Sequence, residues 1–185
     1  FTTFSAAAAT AMVAITKGAV ENYGDYEQLV GGVETLFGAG GQSLSEYAKG
    51  VGKTTTEAKD EYNNLIKAQE AVIEKANGAY KTAGMSANDY METVTSMSAA
   101  LIQSLDGDTV AAAEKADMAI TDMSDNANKM GSDIESIKNA YSGFAKANYT
   151  MLDNLKLGYG GTKEEMQRLL DDATKISGVK YDISQ

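Results

Sequence analysis

The chain contains no cysteine, no histidine, no proline and no tryptophan. Without cysteine there is no disulfide to staple the fold, so packing alone must hold it. Thiolate and imidazole metal sites go with the missing cysteine and histidine. So do histidine-dependent acid–base catalysis and the common hydrolase triads. The absence of proline acts in the other direction. Proline breaks a helix interior by removing a donor and clashing with the preceding turn, so a chain without it permits long uninterrupted helices. Basic residues are also in deficit: 16 Lys and Arg face 26 Asp and Glu, a net charge of −10 that opposes tight binding to nucleic-acid phosphates.

What is present favours helix. Alanine, lysine, glutamate, methionine and leucine are strong helix formers and supply much of the 185-residue chain, which is long enough for a sizeable core. The chain begins at Phe1 rather than Met, which reads as a processed product or a fragment of a longer protein. From Phe4 to Ile15 it runs FSAAAATAMVAI, too short to span a bilayer and without a preceding positive region. That stretch reads as a helix whose alanines allow close packing, and it leaves membrane contact unassigned.

Spacing and capping signals predict an all-α fold: several helices joined by Gly-rich turns into a compact array, with an Ala-rich helix at the N-terminus. The first helix is expected from about Ser5 to Tyr23, and a short second one from Tyr26 to Phe37 with Leu29, Val30, Val33, Leu36 and Phe37 on one side. Gly38, Gly40 and Gly41 then break the chain, and Leu44 to Gly52 reads as a helical turn or loop. A long helix is predicted from Thr56 to Ala83, with a stripe from Tyr62 through Val72 and Ala76 to Tyr80. Ser86 with Asp89 caps the next helix, lined by Tyr90, Val94, Met97, Leu101 and Leu105. Asp106 to Asp108 turn the chain into a helix lined by Ala112, Ala116, Ile120, Met123, Ala127 and Met130, ending at Gly131. Ser132 with Glu135 and Thr162 with Glu165 read as capping boxes for two further helices, one through Ile134, Ile137, Tyr141 and Phe144, the other through Met166, Leu169, Leu170, Ala173 and Ile176. The organisation expected is an N-terminal part, residues 1–43, of one Ala-rich and one short helix, followed by a helical module over 44–185. Alanine–methionine stripes bury little apolar area at roughly 25 cal/mol per Å², so self-association is expected.

No residue qualifies for a catalytic, cofactor or metal role. Gly52-Lys53-Thr54 copies the end of a phosphate-binding loop, but the full pattern needs glycine where Tyr47 stands and a strand before the loop. A loop with Thr54 to Thr56 capping the next helix explains it. Gly158-Tyr159-Gly160-Gly161 reads as a helix-breaking turn rather than a phosphate nest. Glu164-Glu165 and Asp171-Asp172 are adjacent pairs whose members diverge on a helix, and Asp122, Asp125 and Asn126 lack calcium-loop spacing. Tyr23, Tyr26, Tyr62, Tyr80, Tyr90, Tyr141 and Tyr149 read as half-buried helix packing with wet hydroxyls. Asn148-Tyr149-Thr150 is a chance glycosylation sequon.

Four phrases go further. GFAKANYTMLDNLKLGYGGTKEEMQ from Gly143 to Gln167 resembles the conserved N-terminal region of tail tape-measure proteins of long-tailed bacteriophages, and DYEQLVGGVETLFG (Asp25 to Gly38), Ala79 to Leu105 and Met118 to Phe144 follow in the family's order. The resemblance spans roughly residues 25 to 177, with a variable piece near Leu44 to Gly78. It implies a structural, non-enzymatic protein without cofactors that lies in the lumen of the tail tube, helps assemble the tail and set its length, and leaves before the DNA at ejection. The partners it implies are further copies of the chain, tail-tube and other tail or baseplate proteins and tail assembly chaperones, without specific nucleic-acid binding by this segment. The localisation it implies is the virion, with the host cytoplasm during assembly. The competing class is a secreted bacterial helical interaction or effector protein without catalytic activity, which shares the composition but not the ordered phrases. A nucleotide-dependent enzyme, the third class, rests on Gly52-Lys53-Thr54 alone.

Overall fold

A computed structural model of the chain describes residues 24–181 and 183. The helix expected from Ser5 to Tyr23, with its Ala-rich stretch, lies outside the described residues, as does Tyr23. The fold is all-α. Residues 24–36 form α1. It is followed by α2 (Leu44–Gly50), α3 (Thr55–Thr82), α4 (Ala87–Ser104), α5 (Thr109–Met130), α6 (Ile134–Phe144), a single 3-10 turn (Leu152–Leu155) and α7 (Lys163–Ser177). The described residues include no strand.

Side-chain caps set the helix starts. Ser43 and Glu46 at α2, and Thr54 and Glu57 at α3, make complete capping boxes in which each side chain takes the other residue's backbone N–H. Thr54 is thus a helix cap, as the loop reading of this stretch requires. Ser86 accepts from the Asp89 amide at α4, and Asp108 from the Ala111 amide at α5. One cap differs from the expectation. At α6 the N-cap is Asp133, not Ser132: its carboxylate accepts from both the amide and the hydroxyl of Ser136. A full negative charge suits the positive end of a helix better than a neutral hydroxyl, which favours the aspartate one residue along. Thr162 caps α7 as expected, but Glu165 reaches to the Gly160 amide and not to Thr162, so that box is only half made.

Helices α3, α4 and α5 form the centre, joined by short connections that make neighbours antiparallel; α2 packs on α3, and α6 and the 3-10 turn pack on α5. The long pair α3 and α5 buries mainly alanine: Ala58, Ala68, Ala76 and Ala79 on one, Ala112, Ala113 and Ala116 on the other. Alanine contributes little area but lets helix axes approach. The bulk comes from α4, whose Tyr90, Met91 and Val94 are fully buried, and from Ile120, Met123, Ile137 and Leu152. Each such side chain contributes about 1.5–3 kcal/mol relative to exposure. Val33 and Phe37, at the end of the N-terminal part, are fully buried in this same cluster. Gln69 reinforces that contact by donating to Glu34 at 3.2 Å, and Tyr26 by donating to Asn77 at 3.3 Å.

The stripes are correct at their centres and fail at helix ends. Tyr80 is 81% exposed and Ala79 takes the buried place beside it; Met130 and Ile176 are also exposed. Met130 and Ile176 stand on the last turns of their helices, whereas Tyr80 lies one residue off the buried run Ala76, Ala79 and Ala83 and so faces solvent.

One polar knot joins the three central helices. The Tyr90 hydroxyl on α4 donates to Asp117 on α5 at 2.8 Å, and the other Asp117 oxygen pairs with Lys75 on α3 at 3.0 Å. Burial, with the Asp117 carboxylate beside it, pushes the Tyr90 phenol well above its ordinary value. A raised phenol pKa stabilises the fold in full below the unfolded value of about 10 and loses that contribution as pH rises beyond it. Tyr90→Phe is therefore expected to cost about 1–2 kcal/mol at neutral pH. In urea unfolding at pH 7 and near pH 11 the gap between wild type and variant should shrink at the higher pH, because the other tyrosines titrate in both chains and cancel. An unchanged gap would show that the hydroxyl does not carry the linkage.

Candidate interaction surface

The stretch Gly143 to Gln167 joins α6 to α7, and the structure gives most of its conspicuous residues a role in shape. At the end of α6 the chain doubles back: the amides of Lys146 and Asn148 both reach the Gly143 carbonyl at 2.9 Å. A Cβ on Gly143 would stand 2.9 Å from the Asn148 carbonyl oxygen, so only glycine permits the reversal without displacement. The Asn148 side chain accepts from the Thr150 amide and hydroxyl, closing the next turn. Phe144 meets Tyr141 through their i,i+3 spacing on α6, at 5.7 Å between centroids, and the doubling back adds Tyr149 at 6.2 Å. Burial, with Asp122 adding to it, pushes the Tyr141 phenol up to about 12.

The 3-10 turn then drives Leu152 and Leu155 into the core. Sequence reading missed it, because a four-residue turn leaves no helical period to detect. Three side-chain tethers hold it to the earlier helices: Asn126 donates to the Leu155 carbonyl at 3.1 Å, Asn154 to the Ser136 carbonyl at 3.1 Å, and Lys156 to the Gly131 carbonyl at 2.8 Å. Met151 and Leu157 flank the turn as exposed apolar side chains.

The glycine-rich turn is clipped by Arg168, the chain's single arginine. Its guanidinium donates to Glu165 and to the Gly158 carbonyl, and lies over the Tyr159 ring at 4.3 Å. Glu165 also accepts from the Gly160 amide, while the Tyr159 hydroxyl donates to Asp172 at 3.0 Å, which pairs with Lys175. The Arg168 bond, helped by the Gly160 amide, holds Glu165 below its usual range; Lys175, helped by Tyr159, does the same for Asp172. A half-exposed ion pair adds little stability by itself, and an exposed guanidinium over a ring adds little more. The value of the clip lies in geometry: its bonds to the Gly158 carbonyl and the Gly160 amide hold the backbone of the turn. Gly161 seals the turn from below. A Cβ there would fall 2.2 Å from the Thr150 carbonyl oxygen.

The other residues singled out from sequence are not gathered into one place. Lys53 pairs with Glu61 at 2.7 Å, and the element before its loop is helix α2 where a phosphate loop follows a strand. The carboxylate pairs diverge: Glu165 and Asp172 serve the clip, whereas Asp171 takes Gln167. Asp122, Asp125 and Asn126 lie along α5. Tyr62 donates to the Gln42 carbonyl at 2.9 Å. Among the described residues no group of three or more Asp, Glu, His or Cys is placed to hold a metal ion, and no helix is long and apolar enough to cross a membrane. Compared with known proteins, the chain matches no family model, no curated protein and no solved structure.

Two glycine substitutions should move stability in opposite directions. Gly161→Ala forces a methyl against backbone and is expected to cost about 1–3 kcal/mol. Gly78→Ala, inside α3 with nothing within 4 Å of the new methyl, is expected to gain roughly 0.5–1 kcal/mol from helix propensity. Thermal and urea unfolding of both would check this, and a neutral Gly161→Ala would mean that the turn is not packed as described.

Proposed function

We propose that this chain is a segment of a bacteriophage tail tape-measure protein, a structural element of the tail-tube lumen that helps tail assembly begin and takes part in setting tail length. The observation that carries the reading is the run from Gly143 to Gln167, in order with the three upstream phrases. The clipped turn and the doubled-back α6 terminus support it, because they account for the run's glycines, its Asn148 and its Thr162–Glu165 pair as requirements of shape. A scaffold works through shape. Further copies of the chain, tail-tube and baseplate proteins and tail assembly chaperones are the partners that go with this role. The net charge of −10 suits a protein that shares its conduit with DNA without adhering to it.

The segment acts as a folded module rather than as the extended ruler. α5 is packed on α3, α4 and α6, and Gly107 and Gly131 turn the chain at either end. In-frame deletion of Thr109–Met130 from the full-length protein removes 22 residues, worth about 33 Å if they lay along the tube axis. The expected result in electron micrographs is loss of tail initiation, or tails shortened by less than that increment. Normal yields of tails shorter by the whole increment would make the segment part of the ruler. Tails unaltered in both yield and length would sink the tail-assembly role.

A further inference from the structure

Between α4, α6 and α7 runs an apolar groove of about 450 Å³, floored by Met97, Leu101, Tyr141 and Phe144 and walled on one side by Met166 and Leu170 of α7. Its remaining wall is not a helix. Gly178 ends α7 in the left-handed conformation, the chain turns back, and Tyr181 and Ile183 close the groove. The Tyr181 amide donates to the Thr174 hydroxyl at 3.1 Å, which fixes the returning segment to the helix it has just left.

α7 needs this help. It is amphipathic, yet Met166 is its one buried residue, and its stripe ends in Ile176 at 88% exposure. A 15-residue helix so lightly packed is marginal in water, where stability comes from tertiary burial rather than from propensity. The returning segment adds two apolar side chains beside Met166 and Leu170 in the groove. It is itself lightly held: Tyr181 remains 40% exposed and Val179 more so. Elements with few buried contacts open first.

We propose that residues 178–181 together with Ile183 are an intramolecular ligand: a displaceable strap that latches α7 by filling the groove. The groove thereby recognises short segments that present an aromatic and a β-branched side chain two positions apart. The inference rests on the groove's contents and stands whether or not the tail-assembly role holds.

The test uses the full chain carrying Tyr181→Ala and Ile183→Ala, with hydrogen exchange as the readout. Amides in the second half of α7 should exchange about tenfold faster than in wild type, while α3 to α5 stay protected. A synthetic peptide spanning residues 178–185, added in excess, should restore part of that protection, and the same peptide with both alanines should not. Tyr181→Phe keeps the ring and should leave α7 exchange unchanged. Unchanged exchange in the double variant would overturn the latch. Loss of protection throughout α3 to α5 would also overturn it, because the segment would then be core and not strap. Failure of the peptide to protect α7 would overturn the recognition of such segments by the groove.

Discussion

A chain without proline or cysteine has to make every reversal of direction at its helix ends, and the geometry of those ends governs the rest of this structure. Gly84, Gly107 and Gly131 adopt left-handed φ between successive central helices, a conformation that costs other residues energy. Ser86, Asp108 and Asp133 then take the first free amides of the helices that follow. A cap of this kind contributes about 1 kcal/mol. Its larger effect is on phase. Where a helix starts decides which of its faces meets the core, so the caps align the alanine face of α3 with that of α5 and turn Tyr90 of α4 inward.

Close approach of α3 and α5 leaves little space between them and little apolar area gained by either. The structure makes up the difference on α4, where the large side chains lie, and through side-chain tethers to backbone carbonyls. Ser124 reaches the Ala83 carbonyl across the α3–α5 junction, and Asn126, Asn154 and Lys156 do the same for the 3-10 turn. The Ala83, Leu155 and Gly131 carbonyls stand at helix or turn ends, where such a group would otherwise need water or stay costly when covered, whereas the Ser136 carbonyl lies inside α6 and takes Asn154 as an added bond. The C-terminal third is held to the central helices largely in this way, which explains why α7 packs so lightly beyond the clip.

This division also explains what could be read from sequence. The all-α class and the starts of α3, α4, α5 and α7 were legible because capping is local, a relation between residues three apart. The choice between Ser132 and Asp133 was not, since both offer an oxygen at about the right place and only the actual backbone decides. Stripe centres were legible and some members were not: Tyr80 lies one residue off the buried run Ala76, Ala79 and Ala83, and Ile176 stands on the last turn of its helix. The Glu165–Arg168 spacing was visible in principle as a helical pair, but nothing local tied Arg168 to Tyr159 or to the Gly158 carbonyl. Tyr181 and Ile183 belong to no period at all, so their place in the groove is purely a matter of tertiary structure.

The run that most distinguishes this chain is therefore distinguished by backbone demands. Gly143 and Gly161 stand where a side chain would strike a carbonyl, Asn148 and Thr162 satisfy turn and helix amides, Arg168 pairs with Glu165, and Asp172 takes both Lys175 and the Tyr159 hydroxyl. Here the polar groups are turned inward onto their own turn, and the apolar side chains Met151 and Leu157 face outward beside it. Such a surface offers a fixed contour with a few apolar contacts and little charge of its own. The single arginine binds that contour together, holding Glu165 and the Gly158 carbonyl while lying over the Tyr159 ring.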